Sequence, residues 1–332
     1  MSKTVGIPRG LFFYRFYPLW KSFFDELGVK TVVSNPSNKR IMDIGVFSCI
    51  NEACLPVKLF HAHVLELKDK ADYIFVPRYT SLSKNEYICP KFGGISDMIR
   101  SSLDDLPEII DVEVNMRKSK KGAVTAAMET GLYFVNDRKK IKLAYQSAIN
   151  SYRMFMQEFT NHRIPEDVIN NRWKQPIGHD LKILLMGHTY NIYDSFLNMN
   201  IINKIREFGG DVITLEMFDR VSLKDSTKEL KKPIFWEYGT HAIGGIYETN
   251  KNLNVDGIIY LMCFGCGIDS FICNMAERRI RNTSKIPFIT ITIDEQSGQA
   301  GMDTRIEAFM DTLKWRKNDH NISTYGERAY LH

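Results

Sequence analysis

The 332-residue chain has no uninterrupted apolar run of the roughly 18 residues that a membrane-spanning helix needs. Its first ten residues, MSKTVGIPRG, hold no apolar leader segment, so the expectation is a cytoplasmic protein with no membrane partner. No GxxxxGK followed by Ser or Thr occurs, which leaves phosphate-loop nucleotide hydrolysis unsupported. GIPRG (6–10) has too few glycines for a dinucleotide fingerprint. Charge of one sign is lacking as well: 44 Lys and Arg stand against 39 Asp and Glu, a net charge of +5. The basic runs MRKSKKG (116–122) and KELKK (228–232) read as solvated faces, so no nucleic acid is expected, while mild positive charge suits an anionic small molecule. Cysteine is scarce, yet three of the six, Cys263, Cys266 and Cys273, crowd into DGIIYLMCFGCGIDSFIC at 256–273. In a reducing compartment such crowding points to metal or redox chemistry before disulfides.

What is present is a globular chain with room for two domains, its 44% hydrophobic content arguing against disorder. TVGIP (4–8), KTVVS (30–34) and ADYIFVP (71–77) read as buried strands. YPLWKSFFDELG (17–28) and LPVKLFHAHVLELKDK (55–70) between them read as helices, the first stopped by Gly28. From Asp97 to Gln175 the pattern is mainly helical, and RKKIKLAYQSAINSYRMFMQEF (138–159) fits a long interdomain helix. A second alternating half follows, with strands at 182–187, 211–216, 256–262 and 286–293 and helices at 196–210 and 304–317. Strands alternating with helices predict α/β domains with parallel sheets and right-handed crossovers. The expected division is an N-terminal α/β domain over 1–135, a helical linker region over 136–178 and a C-terminal α/β domain over 179–332.

The chemically loaded residues fall at the carboxyl ends of these strands, where doubly wound sheets bind ligands. RYTSLSKNEYICPK follows the strand at 71–77 and contains Cys89. HTYNIYD brings His188, Tyr190 and Asp194; DEQSGQAG brings Asp294, Glu295 and Gly298. CINEACLPVK places Cys49, Glu52 and Cys54 just before a helix start. Any one cysteine taken alone is more often packing than ligand, and Cys263 and Cys273 fit that description. Cys266 does not, because Gly265 and Gly267 let the backbone approach a bulky group. Cys89 precedes Pro90, a pairing also found in iron–sulfur ligand runs. Cys54 sits where a helix dipole favours a thiolate.

Four readings of these thiols stay open: packing, a zinc site, a thioredoxin-like dithiol, and ligands of an iron–sulfur cluster with one iron left free. His188 is either a ligand-binding donor or a satisfied strand-end histidine, and His61 and His63 read as surface or cap residues.

The segments VGIPRGLFFYRFYPLWKSFFDELG, NEACLPVK, DYIFVPR, EYICPKF, GHTYNIYD, FGCGIDS and TIDEQSGQAG together resemble the activase-related proteins of the 2-hydroxyacyl-CoA dehydratase and double-cubane cluster group, over about residues 4 to 317. The resemblance implies two flavodoxin-like, doubly wound domains joined by a helical linker, with an iron–sulfur cluster in the cleft between them. It also implies an ATP-hydrolysing, actin-like activator as separate electron donor. The motif cysteines are Cys54, Cys89 and Cys266. Ile268 departs from the usual proline after GCG. Cys49, Cys263 and Cys273 are additional, and six thiolates would match an 8Fe–9S double cubane where three would match a single 4Fe–4S cluster. Glu52, His188, Asp294 and Glu295 are candidate proton donors, and Tyr190, Gly265, Gly267 and Gly298 candidate substrate contacts. The functional expectation is a redox protein that reduces or dehydrates a small substrate at the cluster. A non-catalytic relay or scaffold of a larger complex, a cluster-free binding protein, and a homodimeric assembly stay open.

Overall fold

The computed structural model describes residues 3–160, 163–169, 178–252 and 255–329. The first sheet holds β1 (Thr4–Ile7), β2 (Lys30–Val33) and β3 (Tyr73–Phe75). Next along the chain, β4 (Arg78–Ser81) leaves this sheet, β5 (Glu108–Ile110) returns to it, and β6 (Glu113–Asn115) pairs with β4 in a parallel ribbon. The second sheet is built from β7 (Leu181–Met186), β8 (Gly210–Thr214), β9 (Gly257–Cys263) and β10 (Phe288–Ile293). All pairings in both sheets are parallel. The orders are β2-β1-β3-β5 and β8-β7-β9-β10, so each sheet runs second, first, third, fourth in chain order. The protein is thus mixed α/β with parallel sheets.

Local chemistry explains most elements. The helix Phe13–Leu27 buries Phe16, Trp20, Phe23, Phe24 and Leu27 at helical spacing. It stops at Gly28, whose left-handed backbone (φ 76°) lets its N–H reach the carbonyls of Phe24 and Asp25. β9, GIIYLMC, is apolar almost throughout because a central parallel strand is covered on both faces. The long helix Arg138–Thr160 packs along Phe13–Leu27 and ends with Phe159 against Tyr193 of the second half.

The helical reading of 97–175 needs correction. Strands β5 and β6 lie inside it, and β5 completes the first sheet. A helix at Lys39–Ser48 precedes Cys49, so that residue ends a helix rather than approaching one. His61 and His63 are not surface residues: both are fully buried on the helix Leu55–Leu67. His61 Nδ1 lies 2.8 Å from the Val57 carbonyl, and His63 is held at 3.0 Å by the hydroxyls of Ser34 and Ser37. The helix expected at 196–210 is shorter, Ile201–Glu207, and the last helix longer, Gln299–Ala329. The stretch 170–177 of the expected linker lies outside the described residues.

The two halves meet through a shared apolar core and a set of polar bonds. Arg15 forms a buried, two-pronged pair with Glu237 at 2.6 and 3.2 Å. The Tyr87 N–H donates to Phe235 O at 2.9 Å, and Glu237 N–H donates to Tyr87 O at 3.0 Å. Ser37 donates to Asp194, and Lys58 pairs with Glu295 at 2.7 Å. Among the described residues no helix is long and apolar enough to cross a membrane.

Candidate functional site

Three cysteines from distant parts of the sequence occupy the same structural position. Cys54 caps the helix Leu55–Leu67, Cys89 the short helix Pro90–Gly93, and Cys266 the helix Gly267–Thr283. Pro56 and Pro90 sit in the first turns of their helices, where a missing N–H costs nothing. Gly265 turns the chain after β9 with φ 75°, a conformation that side-chain-bearing residues rarely adopt. Helix N-termini present N–H groups and positive potential, which favour thiolates and anionic groups.

All three thiols lie within electrostatic range of Tyr190. Burial raises the pKa of this phenol, and negative charge on Cys266, Cys54 and Cys89 raises it further. Burial likewise pushes up all three thiols, Cys54 against the opposing pull of Lys91, Cys89 against the N–H of Lys91, and Cys266 with the help of Asp269. Protons held by buried, neighbouring thiols are what a bound cationic group would displace.

His188 stands beside them. Its ring stacks on Tyr190 at 4.9 Å and lies against Tyr238 at 3.9 Å between centroids. Burial lowers its pKa, so the imidazole is neutral. Nε2 lies 3.5 Å from a carboxylate oxygen of Asp269. Asp269 is fully buried, accepts the Tyr260 hydroxyl at 3.1 Å, and offers its own N–H to Cys266 Sγ at 3.5 Å. Tyr238 in turn donates to Tyr260 at 3.1 Å. The ligating atoms of His188, Cys266 and Asp269 all lie within 4.8 Å of one another. Among the described residues neither His188 Nε2 nor the second oxygen of Asp269 has a hydrogen-bond partner. Clustered thiols with orphaned buried donors and acceptors fit a metal or iron–sulfur group. A cleft of about 50 Å³ between the halves adjoins the thiols, lined by Cys89, His188, Tyr190, Glu216, Arg220 and Glu237 among others.

The remaining expected residues divide. Cys49 and Cys263 lie within electrostatic range of Cys54. Cys263 is buried and 3.3 Å from Asn191. Cys273 contacts Thr290 at 3.2 Å. Glu52 is an exposed loop residue whose carbonyl accepts Lys91 Nζ at 3.3 Å. Asp294 braces its own turn by accepting from Ser297 at 2.8 Å, and Glu295 is tied to Lys58. Both acids line an outer groove with Leu55 and Ser195, apart from the His188 cleft. Gly265, Gly267 and Gly298 each face open space where a side chain would stand. Asp269, Tyr238, Glu237 and Arg15 are not singled out by the sequence reading, although Asp269 lies in FGCGIDS and Arg15 in VGIPRGLFFYRFYPLWKSFFDELG.

Fold and site define an α/β protein of twin parallel sheets with a cleft between them that Cys89 and His188 line. Residues 4–218 match the CoA enzyme activase uncharacterised domain family, and the chain belongs to that family. Residues 233–313 match the family of the 2-hydroxyglutaryl-CoA dehydratase D-component. The motif resemblance and these matches agree at the level of the activase and dehydratase-related group. No curated protein matches the chain.

Proposed function

We propose that the protein is the iron–sulfur component of a dehydratase-type redox system, built as two flavodoxin-like halves, with Cys54, Cys89 and Cys266 as cluster ligands. The observation that carries this reading is the convergence of three helix-capping thiols around Tyr190, beside a cleft. When bound, such a cluster supplies low-potential one-electron chemistry. The chain's own residues do the rest. Arg220 draws an anionic substrate into the cleft, His188 and Tyr190 orient it, and the aromatic walls exclude water.

The dehydratase-component match supports a separate ATP-dependent activator as electron donor. Exposed Phe47, Ile50, Phe264 and Phe271 flank the cysteine-bearing segments, as a surface for such a partner would. The cleft beside Cys89 favours catalysis over simple relay. Cys273, about 10 Å along the helix axis from Cys266, favours a single cubane over a six-thiolate cluster.

Anaerobic purification with iron and sulfide analysis tests the reading. The expected content is about four irons per chain, lost in Cys266→Ala and kept in Cys273→Ala. Iron retained with an unchanged visible spectrum in Cys266→Ala defeats the ligand assignment; about eight irons, with loss in Cys273→Ala, defeats the single cubane.

A further inference from the structure

A second, larger chamber opens beside the cleft. It has a volume of about 230 Å³ and lies in the first half, between the helix Phe13–Leu27, strands β3, β4 and β6, and the helices Lys121–Leu132 and Arg138–Thr160. Its wall is aromatic and aliphatic, with Trp20, Phe23 and Tyr145 prominent. Among the described residues the only charged side chains in that wall are Arg15 and Arg220, and the same two arginines also line the cleft by Cys89. The chambers therefore meet at a pair of guanidinium groups.

The polar atoms at this junction are donors short of acceptors. Arg15 spends both terminal nitrogens on Glu237, and its Nε has no partner among the described residues. Tyr152 acts on Arg15 through its charge and a side-chain hydrogen-bond contact, and its buried hydroxyl donates to no acceptor among the described residues. Arg220 acts on Glu237 and His241 only through its charge and forms no side-chain hydrogen bond or ion pair among the described residues. Elsewhere in the wall Trp20 Nε1 donates to Tyr79 at 3.1 Å and Thr130 to the Ala126 carbonyl at 2.8 Å. An apolar chamber with unpaired donors at one end, and no carboxylate in its wall, is complementary to an apolar tail ending in an anion. Its volume exceeds the roughly 150 Å³ of a dry cavity that takes up benzene, so a ring and a short alkyl chain fit.

We propose that this chamber binds a monocarboxylate with an aryl-alkyl tail, the tail among the aromatic residues and the carboxylate against Arg220, Arg15 Nε and Tyr152. The head then faces the cleft lined by Cys89 and His188. Only that orientation rests on the proposed redox role; the binding itself does not.

Calorimetric titration of the anaerobically purified full chain with 3-phenylpropionate, and with uncharged 3-phenylpropionamide, tests the assignment. The acid is expected to bind once per chain and at least 10-fold tighter than the amide. Arg220→Gln removes that difference and leaves amide binding unchanged. Ala127→Phe fills the chamber and weakens both ligands at least 10-fold; Ala123→Phe, one turn earlier on the same helix face, does the same should the first variant fail to fold. Absence of saturable acid binding, equal affinity for acid and amide, or unchanged binding in a folded filling variant overturns the proposal. Iron analysis of the same samples separates the two readings: binding without iron defeats the cluster alone, and iron without binding defeats this site alone.

Discussion

Beyond the first strand of the second sheet stands His188; beyond the first strand of the first sheet stands Phe12. The sheets share one strand order, and in each the crevice opens where the order reverses, between the first and third strands. The second half furnishes this crevice with polar chemistry: His188 after β7, Cys266 after β9, and the Asp269–Tyr260–Tyr238 chain behind them. The first half packs its own crevice with Phe12, Phe16, Trp20, Tyr79 and Phe92, ring centroids 4.6 to 6.3 Å apart. It lends its thiols from elsewhere, Cys54 from a crossover and Cys89 from beyond the β4 ribbon. Identical topology thus offers two crevices, and side chains decide that one becomes a polar cleft and the other a core beside an apolar chamber.

The sharpest way to break this division of labour is to unlatch the halves. Burial alone would raise the Glu237 carboxyl, but the charge and bonds of Arg15 hold it well below the usual carboxylate range. Glu237→Ala leaves a guanidinium buried and unpaired, with an expected loss of about 3–5 kcal/mol in denaturant unfolding. A loss below about 1 kcal/mol would mean that the halves are held by the apolar core alone.

Acid probes a second latch. His63, in the first half, is kept neutral by burial and by the nearby Arg9 charge, its pKa pulled down to about 3. The unfolded chain takes up this proton near pH 6.5 and the folded chain does not. Stability should therefore fall below pH 6.5 by about 1.4 kcal/mol per pH unit from this group. Asp194, which accepts from Ser37 across the interface, works in the opposite sense: burial raises its pKa, so its protonation at lower pH favours the fold. The expected signature is a decline in unfolding free energy between pH 6.5 and 5 that flattens in His63→Gln; an unaltered slope in that variant rules the latch out.

A smaller effect sharpens the contrast within the second half. Tyr260→Phe strips Asp269 of a donor and Tyr238 of an acceptor, at an expected cost of about 1–2 kcal/mol. Because the first half has no such chain, the change should be confined by hydrogen exchange to β9 and the helix Gly267–Thr283. Spread of the loss into β1–β3 would contradict that independence.

Much of this organisation is legible in the chain. The alternation of apolar strands and amphipathic helices, and the placing of Cys89, His188, Cys266 and Asp294 beyond strand ends, follow from periodicity and turn chemistry. What escaped had weak or misleading local signals. Strands β5 and β6 are three residues each, too short for an alternation to register. EYGTHAIGGIYETNKN carries three glycines that argue against a helix, yet Glu237–Asn252 is one. A Cβ at Gly244 would come within 2.1 Å of the Leu223 carbonyl and one at Gly245 within 2.5 Å of Leu215, so these glycines serve close packing. His61 and His63 look like surface residues only until the hydroxyls of Ser34 and Ser37 are placed around His63 and the Val57 carbonyl beside His61.

By itself the sequence determined the α/β alternation and put Cys54 at a helix start, because strand period and helix capping act over a few residues. Only the tertiary structure decided that the thiols of Cys54, Cys89 and Cys266 come within electrostatic range of Tyr190, that Cys273 contacts Thr290, and that His188 faces Asp269. It also chose Glu237, 222 residues away, as the partner of Arg15. Such pairings depend on how two sheets are laid against each other, and no local period records that.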